Sequence, residues 1–501
     1  MRDRIRAHPR YRWLVLVTVA SGMMMTILSA SIVNIALPAI SGEFGSSIPT
    51  TAWVATIYMI TQATLMPVAG RAGDIYGHKK VFVTGLLVFT AMSVLCAFAW
   101  SVHSLIAGRG LMAVGTSGLA TMALAYVVGA FPGRERAQAL GILGGLMGSA
   151  PTVGLVGGGF LVEVFGWRSV FLVVVPLCLI IAPAAVWILK ETEHKPEGDR
   201  SFDVPGGVLL TIGLFGGLLG LSQGRAWGWT GYRTLACFAI FVVFLALFIL
   251  REKTATRPML DLGLFRFRSL VSANVAAFFS SGAFFGSLVL LPFFFQTVAG
   301  DSPAAAGLRI APLALMFLLV APLGGRLTTR IGARSTPLLG LFIAAAGYVL
   351  VSRIIAVDSS ALFLSLAIAV MGIGLGLTMA PLTTAALHDV PADKRGVASS
   401  LPQMSRFVGG SFGMAIVGTL LSWRVAAHLR GTGLPANQIS AGASPADVSQ
   451  GISGSPAAVT AFSQAFQDVF LFSVIIVIMA IIAASFMPQL KSDRERHRPV
   501  P

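Results

Sequence analysis

Gly70-Arg71-Ala72-Gly73-Asp74-Ile75-Tyr76-Gly77-His78-Lys79 is a short basic stretch between two apolar runs, and the chain carries a second version of it: Gly325-Arg326-Leu327-Thr328-Thr329-Arg330-Ile331-Gly332-Ala333-Arg334. The glycines at both ends of the motif coincide, and so do its first and last basic residues. The first stretch falls between the second and third apolar runs, the second between the tenth and eleventh. If runs seven and eight are an insert, both stretches follow the second helix of a six-helix half. Equal placement in two halves reads as an internal duplication, with each half a bundle.

Working outward, the apolar runs lie near 13–38, 51–71, 80–100, 104–130, 137–162, 168–189, 206–223, 233–250, 270–298, 305–325, 335–354, 360–387, 397–423 and 468–488. Each approaches the roughly 20 residues that a helix needs to cross a bilayer. The sequence therefore predicts an all-α membrane protein with about 14 transmembrane helices: two pseudo-symmetric six-helix bundles plus two inserted helices. The expected divisions are a first bundle over 1–190, a linker with the two inserted helices over 191–267, and a second bundle over 268–501. The Gly-, Ala-, Ser- and Pro-rich stretch 424–466 reads as a long outer loop.

Composition agrees. Of 501 residues, 55% are hydrophobic and 11% charged, against about 25% charged in soluble domains. The net charge of +16 could suggest nucleic acid, but its distribution points to topology. With the N-terminus inside, 27 of the 36 basic residues fall in inside loops, as the positive-inside rule requires. Both termini are then cytoplasmic, and no nucleic-acid partner is expected. Cys96, Cys178 and Cys237 lie far apart in apolar runs with no metal or redox spacing. The absence of GxxxxGK[ST] excludes a phosphate-loop pump. No HExxH occurs and no pair of carboxylates shares an apolar run, which argues against an enzyme.

Further motifs sit at the matching runs: Ser31-Ile32-Val33-Asn34-Ile35-Ala36-Leu37-Pro38 in the first, Arg109 with Gly115 in the fourth, and Pro151, Gly154, Gly157 and Gly158 in the fifth. Trp167-Arg168-Ser169-Val170-Phe171 opens the sixth, and Gly396-Val397-Ala398-Ser399 with Arg406, Gly409 and Gly410 marks the thirteenth. Together with Gly70–Lys80 these resemble the major facilitator superfamily, in particular its fourteen-span drug:proton antiporter branch. The resemblance implies the major facilitator fold and a multidrug or antibiotic exporter that exchanges small amphipathic molecules for protons. It implies no cofactor beyond the proton gradient. It departs at Ser29, where the branch carries an acidic residue, and at Leu155, where it carries a second proline.

The candidate residues follow. The resemblance implies a cytoplasmic gate at Gly70, Asp74, Gly77 and Lys79, in which Asp74 would latch onto the N-terminus of span thirteen near Gly396; helix-end N–H groups favour a carboxylate. Gly148, Pro151, Gly154 and Gly158 give span five a smooth, bendable face, since small residues let helices approach closely and proline removes a backbone hydrogen bond. Arg109, Glu163 and Arg406 are the candidates for proton coupling or cavity charge. An arginine deep in a span costs about 2.5–3.5 kcal/mol on insertion scales, so something must offset it. Ser29, Asn34, Gln62 and Gln403 are polar groups along a substrate pathway, and Phe278, Phe279, Phe284 and Phe285 are candidates for an aromatic wall.

No Asp or Glu lies in the middle of a run; Glu43, Glu163, Asp468 and His388 stand near the ends. A pathway without central carboxylates predicts neutral or anionic amphipathic cargo over quaternary cations. The expected setting is the cytoplasmic (inner) membrane, as a monomer surrounded by lipid. A proton-coupled uptake permease for a metabolite, or a membrane sensor of the same fold, would share most of these features.

Overall fold

In the computed structural model, described over residues 11–46, 48–131, 133–191, 203–255, 262–356, 360–391, 395–429 and 456–489, the regular elements are helical. The first half holds α1 (Tyr11–Phe44), α2 (Ile48–Tyr76), α3 (His78–Ala97), α4 (Val102–Ala130), α5 (Gly133–Phe165) and α6 (Ser169–Ile188). Two further helices follow, α7 (Val204–Trp227) and α8 (Tyr232–Thr254). The second half holds α9 (Arg268–Thr297), α10 (Pro303–Ile331), α11 (Ser335–Ile354), α12 (Ala361–Ala386), α13 (Arg395–Leu429) and α14 (Pro456–Ser485).

Local chemistry sets many of the boundaries. A reciprocal box between Ser101 and Ser104 opens α4, and Ser302 caps α10 ahead of Pro303. In each case a hydroxyl satisfies an N–H that the helix start leaves without a partner. Asp203 does the same for α7 through the Gly206 N–H at 3.2 Å.

Twelve of these helices are long and apolar enough to cross a membrane. The two that fall outside that group are α2, of 29 residues, and α5, of 33 residues. Glycine, alanine and polar residues dilute their hydropathy, because both pack largely against other helices. Many helices run a few residues past the expected ranges, α1 to Phe44 and α10 to Ile331 among them, and the largest departure is at the start of α14. Helix α13 runs on to Leu429, and α14 starts at Pro456. Of the stretch 424–466, only 430–455 lies outside the described residues. The early start of α14 has a physical cause: Ala458, Ala461, Phe462, Ala465 and Phe466 are buried at helical spacing, while polar residues between them lower the mean hydropathy.

The duplication is visible in the packing. Within the first half α1 packs on α5, α2 on α4, α3 on α4 and α3 on α6. Within the second half α9 packs on α13, α10 on α12, α11 on α12 and α11 on α14. The halves meet through a swapped pair, α5 on α10 and α2 on α13. The repeated loop motif takes one backbone shape in both halves: Gly77 has φ 99° and Gly332 has φ 97°, a region that only glycine adopts at little cost. The crossing that follows also repeats. A β-carbon on Gly85 would stand 2.6 Å from the Gly115 carbonyl oxygen, and one on Gly340 would stand 2.7 Å from that of Gly374. Helix α7 packs on α2 and α13, covering that seam, and α8 packs principally on α7.

Candidate functional site

The two repeated loops mark the basic end of the bundle. On α5, the glycines nearer that end face the second half. A β-carbon on Gly141 would lie 2.5 Å from the Ala321 carbonyl oxygen, and one on Gly145 would lie 2.9 Å from that of Leu318. Gly148 abuts the Phe317 ring, and Gly325 of α10 abuts the Ala137 backbone. Beyond Pro151 the partner changes. Gly154 and Gly158 press on Ser31 and Ile32 of α1 in their own half, while Gly157 and Gly159 have open space beside them. The helix thus belongs to the interface over its basic half and to its own bundle over the rest, with Pro151 at the transition.

A counterpart exists that the sequence reading did not single out. Gly409 and Gly413 of α13 press on Phe278 and Gly282 of α9, as Gly154 and Gly158 press on α1. Of these glycines the span-thirteen motif includes only Gly409. The signal was the four-residue spacing in both helices.

Arg109 is fully buried inside the first half. Its Nε donates to the Val54 carbonyl at 3.1 Å, and its Nη1 donates to Ser29 Oγ at 3.2 Å. The guanidinium lies 3.9 Å over the Tyr58 ring, an arrangement that stabilises a desolvated cation. Tyr58 in turn donates to the Thr26 carbonyl at 2.9 Å. The Nη2 of Arg109 and the Nε2 of the buried Gln62 have no hydrogen-bond partner. Asn34 is exposed and donates to the Ala30 carbonyl one turn back.

Arg406 is buried at the interface of the halves. Its Nη1 donates to Gln403 Oε1 at 2.9 Å, and its Nη2 to the Met379 carbonyl at 3.1 Å and Thr383 Oγ1 at 2.6 Å. A small cavity beside it, about 10 Å³ of water-accessible space, is lined by α4, α5, α12 and α13. Across this cavity Gln403 Nε2 lies 3.9 Å from the Met147 sulfur.

At the basic end, Asp74 lies 3.5 Å from His78 Nε2, and the His78 ring meets Tyr126 edge-on. Lys79 ties the start of α3 to the end of α6, with Nζ donating to the Val186 carbonyl at 2.7 Å and its backbone N–H to Glu191 at 3.2 Å. Gly70 is buried in α2. Gly396 is in the first turn of α13, next to residues 392–394, which lie outside the described residues.

At the opposite end Glu163 is exposed. Glu43 accepts from Arg168 Nη1 at 2.6 Å and from Trp167 Nε1 at 2.6 Å. These bonds, Arg168 first, hold its carboxyl below the usual glutamate range, so it stays ionised at neutral pH. Asp468 pairs with His428 at 2.9 Å. His388 is held by Asp389 at 2.7 Å at the basic end. Of the four phenylalanines, Phe284 reaches the interface by stacking on Phe317 at 5.2 Å, and Phe278 and Phe279 pack edge-on.

Two duplicated helical halves around a glycine-lined seam define a membrane transporter. The Major Facilitator Superfamily description matches residues 19–414, and the chain belongs to that family. It is 31% identical over 415 residues to the multidrug transporter protein MdtP of Bacillus subtilis, covering 82% of this chain and 76% of that one. It is 34% identical over 413 residues to the tetracenomycin C resistance and export protein of Streptomyces glaucescens, covering 82% and 76%. It is 31% identical over 416 residues to the riboflavin transporter RibZ of Clostridioides difficile, covering 81% and 87%. Among solved structures, the human organic anion transporter MFSD10 aligns with a TM-score of 0.60 at 14% identity, covering 95% of this chain and 100% of that one; this likeness speaks to the fold alone. The protein is thus a multi-pass membrane transporter of small molecules and not an enzyme.

Proposed function

We propose that the protein exports small amphipathic molecules in exchange for protons, by alternating access of a pathway between its two halves. In this reading all fourteen helices cross the bilayer, both termini are cytoplasmic, and the basic end is the inner face. The observation that carries it is the division of labour along α5. The glycines on the basic side of Pro151 close the seam against α10, and those beyond it stay with α1. Such a helix can part from α10 without leaving its own bundle, which is what a rocking motion requires. The relatives named for multidrug transport and antibiotic export support the outward direction.

The polar set along the pathway comprises Ser29, Asn34, Gln62 and Gln403, with Arg109 and Arg406 as its fixed charges. Asp74 and Gly77 serve the inner gate, and the gradient supplies the energy. Inverted membrane vesicles with an imposed pH gradient test the proposal. Exporter action moves a fluorescent amphipath into the vesicles as protons leave. Movement in the reverse sense would instead establish an uptake permease for a metabolite, the second reading; one relative is named for transport of a metabolite, riboflavin.

A further inference from the structure

We propose that the cavity between α5, α12 and α13 is the site for an anionic group on the cargo, a carboxylate or sulfonate, with Arg406 and Gln403 as its donors. The inference deepens the exporter reading and rests on it for what the cargo is, though not for the chemistry of the pocket.

The pocket holds more donors than acceptors. Its lining is apolar residues and Met147 from the first half, with Met379, Thr383, Gln403 and Arg406 from the second. None of these is Asp or Glu. A guanidinium carries five N–H donors, and the bonds to Gln403, Met379 and Thr383 use three of them. The Gln403 carbonyl is occupied by Arg406, so its amide N–H groups face the pocket, where the first half offers only the Met147 sulfur. A thioether is a weak acceptor. Arg406, Gln403 and Thr383 are all buried, so bulk water does not solvate the cation, and none of the described lining residues carries a counter-charge.

The opposing wall is apolar, as the body of an amphipath requires, and methionine adapts to varied shapes. An acceptor group that carries negative charge satisfies both demands: it takes the spare N–H groups through charge-assisted bonds and neutralises a buried cation. The first half shows the same imbalance, since Arg109 Nη2 and Gln62 Nε2 are buried without partners. In the present arrangement the cavity has room for about one water. Parting α5 from α10 and α12 widens it toward the basic end, where cargo would enter.

The full-length protein in lipid nanodiscs is titrated with three probes that share one hydrocarbon body: biphenyl carboxylate, the matching carboxamide and the matching trimethylammonium. The carboxylate is expected to bind about tenfold tighter than the carboxamide, the gain of a hydrogen bond to a charged group, with the trimethylammonium weaker still. Arg406→Gln abolishes that gap, read as the ratio of the two affinities; Arg406→Lys keeps part of it. Equal binding of the three probes, tightest binding of the trimethylammonium, or an unchanged gap in Arg406→Gln overturns the proposal. If Arg406→Gln also loses the carboxamide, Gln403→Leu decides: a narrowed gap supports the site and an unchanged one overturns it. Native protein that pumps but shows no gap loses the anion site and keeps the exporter reading; a gap without pumping does the reverse.

Discussion

Ser29 Oγ lies 3.2 Å from Arg109 Nη1, so the hydroxyl stands where a carboxylate would neutralise the buried guanidinium. The cation is instead held by the Val54 carbonyl and the Tyr58 ring. An aspartate at this position would meet a ready partner. Removing one member of a buried pair costs about 3–5 kcal/mol, so supplying the absent member should be tolerated despite the desolvation of a new charge. Ser29→Asp is expected to keep native thermal stability and to gain transport of lipophilic cations. Thr26→Asp, at a buried hydroxyl bonded to the Met23 carbonyl, should lower the midpoint by several degrees. Equal destabilisation of the two variants would show that Arg109 does not reach the new carboxylate.

The inserted hairpin offers a second test. Asp203 caps α7 and pairs with Arg251 of α8 at 3.2 Å. Asp203→Ala removes both functions and should cost about 1 kcal/mol through the cap alone. Asp203→Asn keeps the cap and loses only the charge. Hydrogen exchange in the first turn of α7 should therefore quicken in the alanine variant and stay near native in the asparagine variant. Equally quickened exchange in both would mean that the ion pair, not the cap, holds the turn.

Much of this architecture is legible in the amino-acid order, for reasons that differ by element. The apolar runs mark helices because lipid-facing surfaces must be apolar, and α11 emerges at the predicted 335–354. The loop repeat is legible because a left-handed turn demands glycine at both Gly77 and Gly332. The first turns of α14 are hidden, since a helix packed on one face needs apolar residues only every three or four positions. The composition of the pocket beside Arg406 is hidden too. Met147 and Gln403 stand 256 residues apart, and nothing in either local sequence announces the meeting. Arg109 is visible as an anomaly, a cation in an apolar run. Its stacking on Tyr58 depends on how α2 leans on α4, which only packing decides.

The clasp of Glu43 with Arg168 and Trp167 gives a pH prediction of definite sign. The folded-state carboxyl is held below its unfolded range. Its contribution to stability is therefore complete above the unfolded value of about 4.3 and is lost as pH falls through the lower folded value. The pair is largely exposed, so the contribution is about 0.5–1 kcal/mol at most. Trp167 emission, isolated as the difference from Trp167→Phe, should stay constant from neutrality down to about pH 5 and change only below the ordinary glutamate range. Glu43→Gln should remove the acid transition. A transition near neutral pH would instead make Glu43 a candidate proton carrier.

The seam between the halves can be loosened at one glycine and left intact at another on the same helix. A β-carbon on Gly141 would approach the Ala321 carbonyl oxygen at 2.5 Å and the Pro322 Cα at 2.8 Å. Both neighbours are backbone, so no rotamer can relieve the clash and α5 must move away from α10. Overpacking of this kind costs about 1–3 kcal/mol, here charged to the closed seam and not to either bundle. Gly157 has nothing within 4 Å of its added carbon, so the same substitution there meets open space. With a reporter cysteine at Leu318, Gly141→Ala should raise the labelling rate from the basic end roughly fivefold or more, the Boltzmann factor for about 1 kcal/mol. Gly157→Ala should leave that rate unchanged. Both variants should keep the native melting midpoint of the bundles when the seam is already open. Faster labelling in Gly157→Ala, or none in Gly141→Ala, would mean that the glycine contacts with α10 do not hold the two halves together.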